Sequence, residues 1–162
     1  MRVFDPVSLR AAFSTFPSGV TSICAVRDGS PIGMAASSFV SVSLDPPLVS
    51  VCVQRTSATW PVLAKCRRIG VSVLSSSQGD ICRKLASRIE ERLCGVPHSV
   101  TEQGAVLIEG AASWLECSVH QVFEAGDHDV VLLRVQDFQI NAGVPPLVFH
   151  ASGFHSLAEL VH

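Results

Sequence analysis

Short apolar runs separated by turn residues restrict the fold of this chain more than any other feature. Runs of strand length, rich in β-branched residues, occur at 20–26, 48–53, 69–74, 130–135 and 147–150. The turn Arg27-Asp28-Gly29-Ser30 is a hairpin signal, and it leads into a second strand within 31–39, which is rich in small residues. A further run at 113–123 alternates between apolar and polar residues, as a half-buried strand does, with Leu115, Cys117, Val119 and Phe123 on one side. Helical spacing occurs at 7–16, 59–66 and 80–93. Because strands and helices do not alternate regularly, a doubly wound parallel sheet is disfavoured, and we expect a mainly β protein, an antiparallel barrel with a few flanking helices.

The composition predicts one globular domain. A chain of 162 residues has the size of a single domain, which we expect to span 1–162. Its 48% hydrophobic and 16% charged residues exclude intrinsic disorder. Its 12 Lys and Arg against 14 Asp and Glu give no basic excess, so we expect no nucleic-acid partner. No apolar run approaches the roughly 18–20 residues of a membrane span, so we expect no membrane partner either.

The N-terminus and the cysteines favour a cytoplasmic protein. Residues 1–6 lack a signal-peptide hydrophobic region. The six cysteines form no C-x-x-C pair, and we expect them to be buried, reduced thiols. The apolar surplus and the low charge favour coverage by a partner subunit.

The glycine spacing excludes the common nucleotide-binding motifs. No two of the 11 glycines are separated by a single residue, so the dinucleotide motif G-x-G-x-x-G is absent. The phosphate-binding motif G-x-x-x-x-G-K-[ST] and the nucleophile elbow G-x-S-x-G are also absent. If the chain binds a phosphorylated cofactor, it must therefore bind the phosphate with a different motif.

Three segments are candidates for a binding site. Small residues at 33–38 would let a flat ligand approach the backbone, or they mark a crowded position in a sheet. The segment 55–61 offers one guanidinium and three hydroxyls before a helix, which suits an anion, although ordinary capping explains it as well. His128 follows the turn Gly126-Asp127, where it is either a site residue supported by Asp127 or Asp129 or an exposed turn residue. No His or Cys spacing resembles a zinc site, and we expect no metal.

Together these segments resemble the flavin reductase family, which supplies reduced flavin to two-component monooxygenases. The matching pieces lie in family order at 13–21, 33–48, 70–74, 126–128, 146–150 and 153–154. The resemblance implies an FMN-binding split barrel and a homodimer. It also implies an NAD(P)H-dependent flavin reductase that uses FAD or FMN, takes NADH or NADPH as co-substrate, and passes reduced flavin to a flavin-dependent monooxygenase.

The resemblance also implies residue roles. A small-residue loop lies along the isoalloxazine ring, the next segment holds the flavin phosphates, and a helix closes over the rest of the cofactor. The flavin-binding residues would be Ala35, Ala36, Ser37, Ser38, Phe39, Ser41, Val42, Thr56, Ser57, Ala58, Val62, Arg88 and Ile89. The nicotinamide nucleotide would meet His128, Gly153, Phe154, His155 and Ser156. Because the cofactors carry out hydride transfer themselves, we assign no residue as a catalytic acid or base.

The chain departs from the family pattern at several aromatic positions. The helix has Leu85-Ala86 where Phe-Ala is common, and Leu93-Cys94-Gly95 where Phe-x-Gly is common. The chain also contains no Tyr, so the usual C-terminal tyrosines read Phe149 and Phe154. A stacking aromatic for the cofactor is therefore missing, which leaves FAD and FMN as alternatives.

Two other functions fit the same barrel. One is a non-catalytic protein that binds flavin and does not consume NADH. The other is an oxidase of the pyridoxamine-phosphate type, which needs basic residues for a substrate phosphate; Arg67-Arg68 is the dense candidate pair.

Overall fold

The computed structural model describes residues 2–161, which are mainly strand. The helices are α1 (Pro6–Phe13), α2 (Trp60–Leu63) and α3 (Gly79–Ala86). The strands are β1 (Ser18–Gly19), β2 (Thr21–Arg27), β3 (Ser30–Ala36), β4 (Val40–Leu44), β5 (Pro47–Gln54), β6 (Ile69–Val73), β7 (His98–Val100), β8 (Val106–Ile108), β9 (Ser113–Ala125), β10 (His128–Ile140), β11 (Val148–His150) and β12 (Gly153–His155).

A seven-stranded antiparallel sheet forms the body of the fold, in the order β3-β2-β6-β9-β10-β5-β4. The chain just after β3 returns to β5, because the Ser38 hydroxyl donates to the Cys52 carbonyl at 3.1 Å and accepts from the Cys52 amide at 2.8 Å. This contact joins the segment after β3, which is one edge strand of the sheet, to β5, which lies next to the opposite edge strand. The predicted mainly β split barrel with few helices is confirmed.

Alternation along β2 divides the interior into two cores. Ile23 and Ala25 pack into a cluster with Val51, Leu63 and other side chains of the barrel strands. Cys24, between them, packs on the opposite face with Leu85 of α3. The second cluster therefore fixes α3 against the outside of the sheet.

The predicted helices are shorter than their hydrophobic spacing indicates. The segment 7–16 forms α1, which begins after Asp5, whose carboxylate accepts from the Ser8 amide at 2.9 Å, and which buries no residue. The segment 80–93 forms only α3, because Ser87 is extended and its hydroxyl donates to the Lys84 carbonyl at 2.7 Å. Ile89 therefore leaves the predicted apolar stripe and is 62% exposed.

The two long strands contain a bulge that alternation does not show. The β9–β10 register passes from Val119 opposite Leu133 to Gln121 opposite Leu132, so His120 is the extra residue. The predicted inward side therefore changes, and Phe123 is 44% exposed. Strands β1, β4, β7, β8 and β12 were not predicted.

Burial differs among the six cysteines, of which Cys66 is half-buried. Cys24, Cys82 and Cys117 are buried, but Cys52 and Cys94 are exposed, so the prediction of buried thiols is wrong for the last two. Burial raises the pKa of the Cys24 and Cys117 thiols to about 12. Between residues 2 and 161, no helix has the length and apolar character needed to cross a membrane.

Candidate functional site

A cleft of about 820 Å³ opens where the ends of β3, β5 and α3 meet. Its volume lies in the range of small-molecule sites. Its lining residues are Met34, Ala35, Ala36, Ser37, Ser38, Cys52, Val53, Gln54, Thr56, Ser57, Ala58, Thr59, Leu85, Ala86, Arg88, Arg92 and His128. The cleft therefore brings the three candidate segments of the sequence together.

Small residues form one wall of the cleft for two different reasons. Gly33, just before this wall, lies opposite Cys24, and a Cβ there would clash with the Cys24 sulfur. Ser38 closes the barrel on Cys52, so its hydroxyl proton is already committed. Ser37 is exposed, and its hydroxyl makes no hydrogen bond to any other described residue. Of Ser37 and Ser38, Ser37 therefore has the hydroxyl that is free to donate to a ligand.

The opposite end of the cleft presents hydroxyl donors. The Ser57 hydroxyl accepts from the Trp60 amide at 3.1 Å, and the Thr59 hydroxyl accepts from Arg92 at 3.3 Å. Because both oxygens act as acceptors in these bonds, their protons remain available for a ligand. These donors lie on the turn between β5 and α2, next to Thr56 and Ala58.

The charge of the cleft is positive. Arg88 and Arg92 line it, and its lining residues include no Asp or Glu. Arg88 is exposed, whereas Arg92 is half-buried and bonded to the protein. Two guanidiniums beside hydroxyl donors suit a phosphate or another anion.

His128 enters the cleft from the first position of β10, opposite Gln54 of β5. Its Nδ1 lies 2.7 Å from the Asp127 carboxylate. This hydrogen bond, and the charge of the ring when protonated, lower the pKa of Asp127. Of the two aspartates that the sequence offered, Asp127 contacts His128, and the Asp129 carboxylate lies 3.7 Å from Arg55. His128 is thus a half-buried cleft residue.

The structure does not bring all predicted site residues into the cleft. Phe39, Ser41 and Val42 lie outside it, the last two on strand β4 at the sheet edge instead of in a loop. Val62 and Ile89 line a neighbouring cavity.

The C-terminal candidates lie elsewhere. Gly153, Phe154 and His155 form β12, and Ser156 follows it. The Phe154 ring lies under the Arg83 guanidinium of α3 at 4.9 Å, and a Cβ on Gly79 would lie 3.1 Å from this ring. Residues 153–156 therefore pack near the start of α3, whereas the cleft borders its end, so one chain does not bring them to His128.

The lining residues that sequence reasoning missed include Cys52, Gln54, Thr59 and Arg92. The first two share the exposed face of β5, where burial alternates, so the strand pattern contained their signal. Thr59 belongs to a segment already singled out for its hydroxyls. Arg92 reaches Gly33 and Thr59 from a turn that the sequence predicts as helix, and no local pattern reports these contacts.

The arrangement fits a planar ring with an anionic tail. The ring would lie along Ala35, Ala36 and Ser37, where side chains are small and donors are available. The tail would meet Ser57, Thr59 and the arginines. A flavin has this combination of a flat heterocycle and phosphate, so the residues present fit that cofactor.

Known proteins agree with this geometry. The model of the family described as flavin reductase like domain matches residues 13–158. A flavin reductase from Pseudomonas putida is 36% identical over 157 residues, which cover 96% of this chain and 92% of the relative. The reductase subunit HsaB of a flavin-dependent monooxygenase from Mycobacterium tuberculosis is 33% identical over 152 residues, covering 93% of this chain and 81% of the relative.

A solved structure has the same fold. The NADH:FAD oxidoreductase SgcE6 from Streptomyces globisporus, in complex with NAD and FAD fragments, superposes with a TM-score of 0.90 at 34% identity and 98% coverage of both chains. Other relatives are longer, and this chain spans about half of their length. With a family match over residues 13–158 and relatives above 30% identity across nearly the whole chain, this chain belongs to the flavin reductase family.

Proposed function

We propose that this chain transfers hydride from NADH or NADPH to FAD or FMN in the cleft, and that the reduced flavin serves a partner monooxygenase. The observation that carries this proposal is one cleft in which a small-residue wall, hydroxyl and guanidinium donors, and His128 meet. Its flavin reductase activity follows from its family. The relatives that are monooxygenase reductase subunits support a monooxygenase as the partner.

The protein's part in the reaction is to bind and orient. When bound, the nicotinamide supplies the hydride and the flavin ring accepts it. Ala35, Ala36 and Ser37 would hold the ring against the barrel, and Thr56, Ser57 and Ala58 would hold its phosphate. Donors at the ring edge stabilise negative charge that develops there, and the Ser37 hydroxyl and backbone amides are placed for this role.

His128 orients the nicotinamide in this proposal. With Nδ1 hydrogen-bonded to Asp127, the other ring nitrogen, Nε2, remains for a ligand in the cleft. If His128 fixes the nicotinamide, the nicotinamide and flavin rings meet in a defined orientation, which lowers the entropic cost of hydride transfer. The nucleotide contact of residues 153–156 stays a prediction, since these residues lie away from the cleft of one chain.

The two rival functions receive less support. A non-catalytic flavin carrier has no use for a histidine held beside the flavin wall. For an oxidase of the pyridoxamine-phosphate type, the sequence offers the pair Arg67-Arg68 as the site of the substrate phosphate. Arg67 is exposed outside the cleft, and the Arg68 guanidinium lies 3.7 Å from the Glu116 carboxylate.

We also propose a homodimer. Helix α1 buries none of its residues within one chain, and Phe4, Phe13 and Phe16 around it are 61%, 69% and 79% exposed. Exposed apolar surface of this kind favours association. Analytical ultracentrifugation at micromolar concentration tests this, and a stable monomer would contradict it.

The activity test is NADH oxidation at 340 nm with FAD, with FMN and without flavin. We expect oxidation that depends on added or co-purified flavin, and a parallel series with NADPH ranks the two nucleotides. A protein that binds flavin without consuming either nucleotide would instead be the non-catalytic carrier.

A further inference from the structure

The guanidinium that the segment 55–61 offers to an anion lies outside the cleft. Arg55 comes directly after β5, between Gln54 and Thr56, which both line the cleft, but Arg55 lines neither the cleft nor the neighbouring cavity. Its Nη2 donates to the Glu124 carboxylate at 3.0 Å, and its Nε lies 3.7 Å from the Asp129 carboxylate. The charge of Arg55 is therefore used within the protein, on the two strands that carry His128.

Glu124 and Asp129 face each other at the tip of the β9–β10 hairpin, which comprises residues 124–129. They are direct partners in the register of the two strands, so their side chains lie on the same face, where like charges destabilise a strand pair. The Asp129 side chain is only 22% exposed, so water screens its charge incompletely. Within residues 2–161, no Lys or Arg other than Arg55 forms an ion pair with either carboxylate. Arg55 thus compensates both negative charges of the hairpin tip.

His128 belongs to the same hairpin tip, one residue before Asp129. Its register partner in β5 is Gln54, which also lines the cleft, so alternation places the His128 ring on the face opposite to Asp129. The Arg55 amide donates to the Asp127 carbonyl at 3.0 Å, and the Asp127 carboxylate lies 2.7 Å from Nδ1 of His128. Arg55 therefore contacts the residues on both sides of His128, by main chain and by side chain, without entering the cleft.

From these contacts we infer that Arg55 is a positioning residue for hydride transfer, because it fixes the hairpin tip that holds His128 in the cleft. This inference rests on the proposed role of His128 in orienting the nicotinamide. Without the guanidinium, Glu124 and Asp129 repel each other across the tip, and His128 moves with the strands. A small displacement of an orienting group slows a reaction that depends on alignment. The flavin keeps its contacts, because Arg55 does not line the cleft.

The first test compares variants at position 55 with a matched arginine elsewhere. Arg55→Gln should lower kcat/KM for NADH about three- to tenfold and leave the Kd for flavin within about twofold of the wild-type value. Arg55→Lys keeps the charge and should recover most of the loss. Arg27→Gln is the control, because the Arg27 side chain is 44% exposed, against 47% for Arg55, and lies 3.7 Å from the carboxylate of Asp28, away from the hairpin tip. We expect the control to change neither quantity.

Two double variants separate positioning from a general loss of structure. Glu124→Gln in the Arg55→Gln background removes the repulsion, so it should return kcat/KM to within about twofold of the wild-type value. Arg55→Gln in the His128→Ala background should change kcat/KM by less than about twofold, because a positioning residue acts only through the group that it positions. A further three- to tenfold loss in that background, about as large as in the wild type, would overturn the inference.

The histidine rings report the position of His128 without flavin or NADH. In NMR spectra of the flavin-free protein, the His128 ring signals are those that disappear in His128→Ala. We expect Arg55→Gln to shift these signals, since the tip carries the Asp127 bond to Nδ1, and Arg27→Gln to leave them in place.

The inference requires both changes in Arg55→Gln, a lower kcat/KM and shifted His128 signals, and either one alone overturns it. If the wild type reduces flavin with NADH and Arg55→Gln matches it in both measurements, the inference is wrong and the proposed function stands. If the wild type binds flavin and reduces it with neither NADH nor NADPH, the proposed function and the inference are both wrong.

Discussion

A carboxylate at position 57 tests where the flavin phosphate lies. The Ser57 hydroxyl accepts from the Trp60 amide at 3.1 Å, and an Asp side chain makes the same bond to an amide three residues on. Ser57→Asp therefore keeps the turn before α2 and adds one negative charge beside the proposed phosphate. Two unit charges about 5 Å apart repel by about 3 kcal/mol at an effective dielectric constant of about 20.

Partial exposure of residue 57 reduces this repulsion, because water and salt screen the charges. We expect a loss of about 1–3 kcal/mol, which corresponds to a roughly 5- to 150-fold higher Kd for flavin. Fluorescence titration of the purified variant measures it. Increasing salt should recover part of the affinity.

Ser57→Asn is the matched control, because it offers the same acceptor to the Trp60 amide without a charge. We expect the melting temperatures of the two variants to agree within a few degrees and their flavin affinities to differ. Equal Kd values for the Asp and Asn variants would refute the reasoning, since the phosphate would then lie away from residue 57.

Three further predictions concern the cleft and the cores. His128→Ala should lower kcat/KM for NADH roughly 5- to 150-fold with little change in the Kd for flavin. If stopped-flow experiments showed the same rate of flavin reduction by NADH as in the wild type, the role proposed for His128 would be wrong. Gly70→Ala should cost about 2–4 kcal/mol in a melting experiment, because the new Cβ meets the backbone of β8, whereas Gly19→Ala has open space and should cost little. The buried thiols of Cys24 and Cys117 have pKa values raised to about 12 by loss of hydration, against an ordinary 9.0. The unfolded chain therefore releases these protons first, and the free energy of unfolding should fall between pH 9 and 12; a flat melting temperature over that range would contradict this.

The parts of the fold that sequence predicted well depend on neighbouring residues. Asp28 and Gly29 have φ values of +50° and +77°, as a tight hairpin turn between right-twisted strands requires. The runs at 20–26, 48–53 and 69–74 became β2, β5 and β6 within one or two residues at each end. In each case the turn chemistry and the strand pattern favour the same structure.

The errors occur where a distant contact overrides local spacing. The apolar stripe at 80–93 predicts a long helix, but Leu93 reaches the second core from a turn and remains 3% exposed without helical structure. The bulge at His120 belongs to the pairing of β9 with β10, which alternation along β9 alone does not contain. Long-range packing therefore set both outcomes.

The candidate site also contains residues that local sequence indicates and residues that long-range contacts bring into place. Thr56, Ser57 and Ala58 are recognisable because their hydroxyls sit between a strand and a helix in sequence. Arg92 enters the cleft through long-range bonds to Gly33 and Thr59, and its segment was predicted to be the end of a helix. The resemblance to the family supplied the residues proposed to bind the ring, and the structure added Arg92, which lines both the cleft and the neighbouring cavity.

Packing explains some of the small residues at 33–38 and leaves others open to the cleft. Gly33 is small because Cys24 occupies the space opposite it, and Ser38 uses its hydroxyl to join the backbone of β5. Ser37 makes no such bond and faces the cleft, as does Ala35, which also packs against the second core. Because Ser37 and Ser38 are consecutive, the bond that joins Ser38 to β5 also holds Ser37 at the cleft, where a flat ligand can approach it.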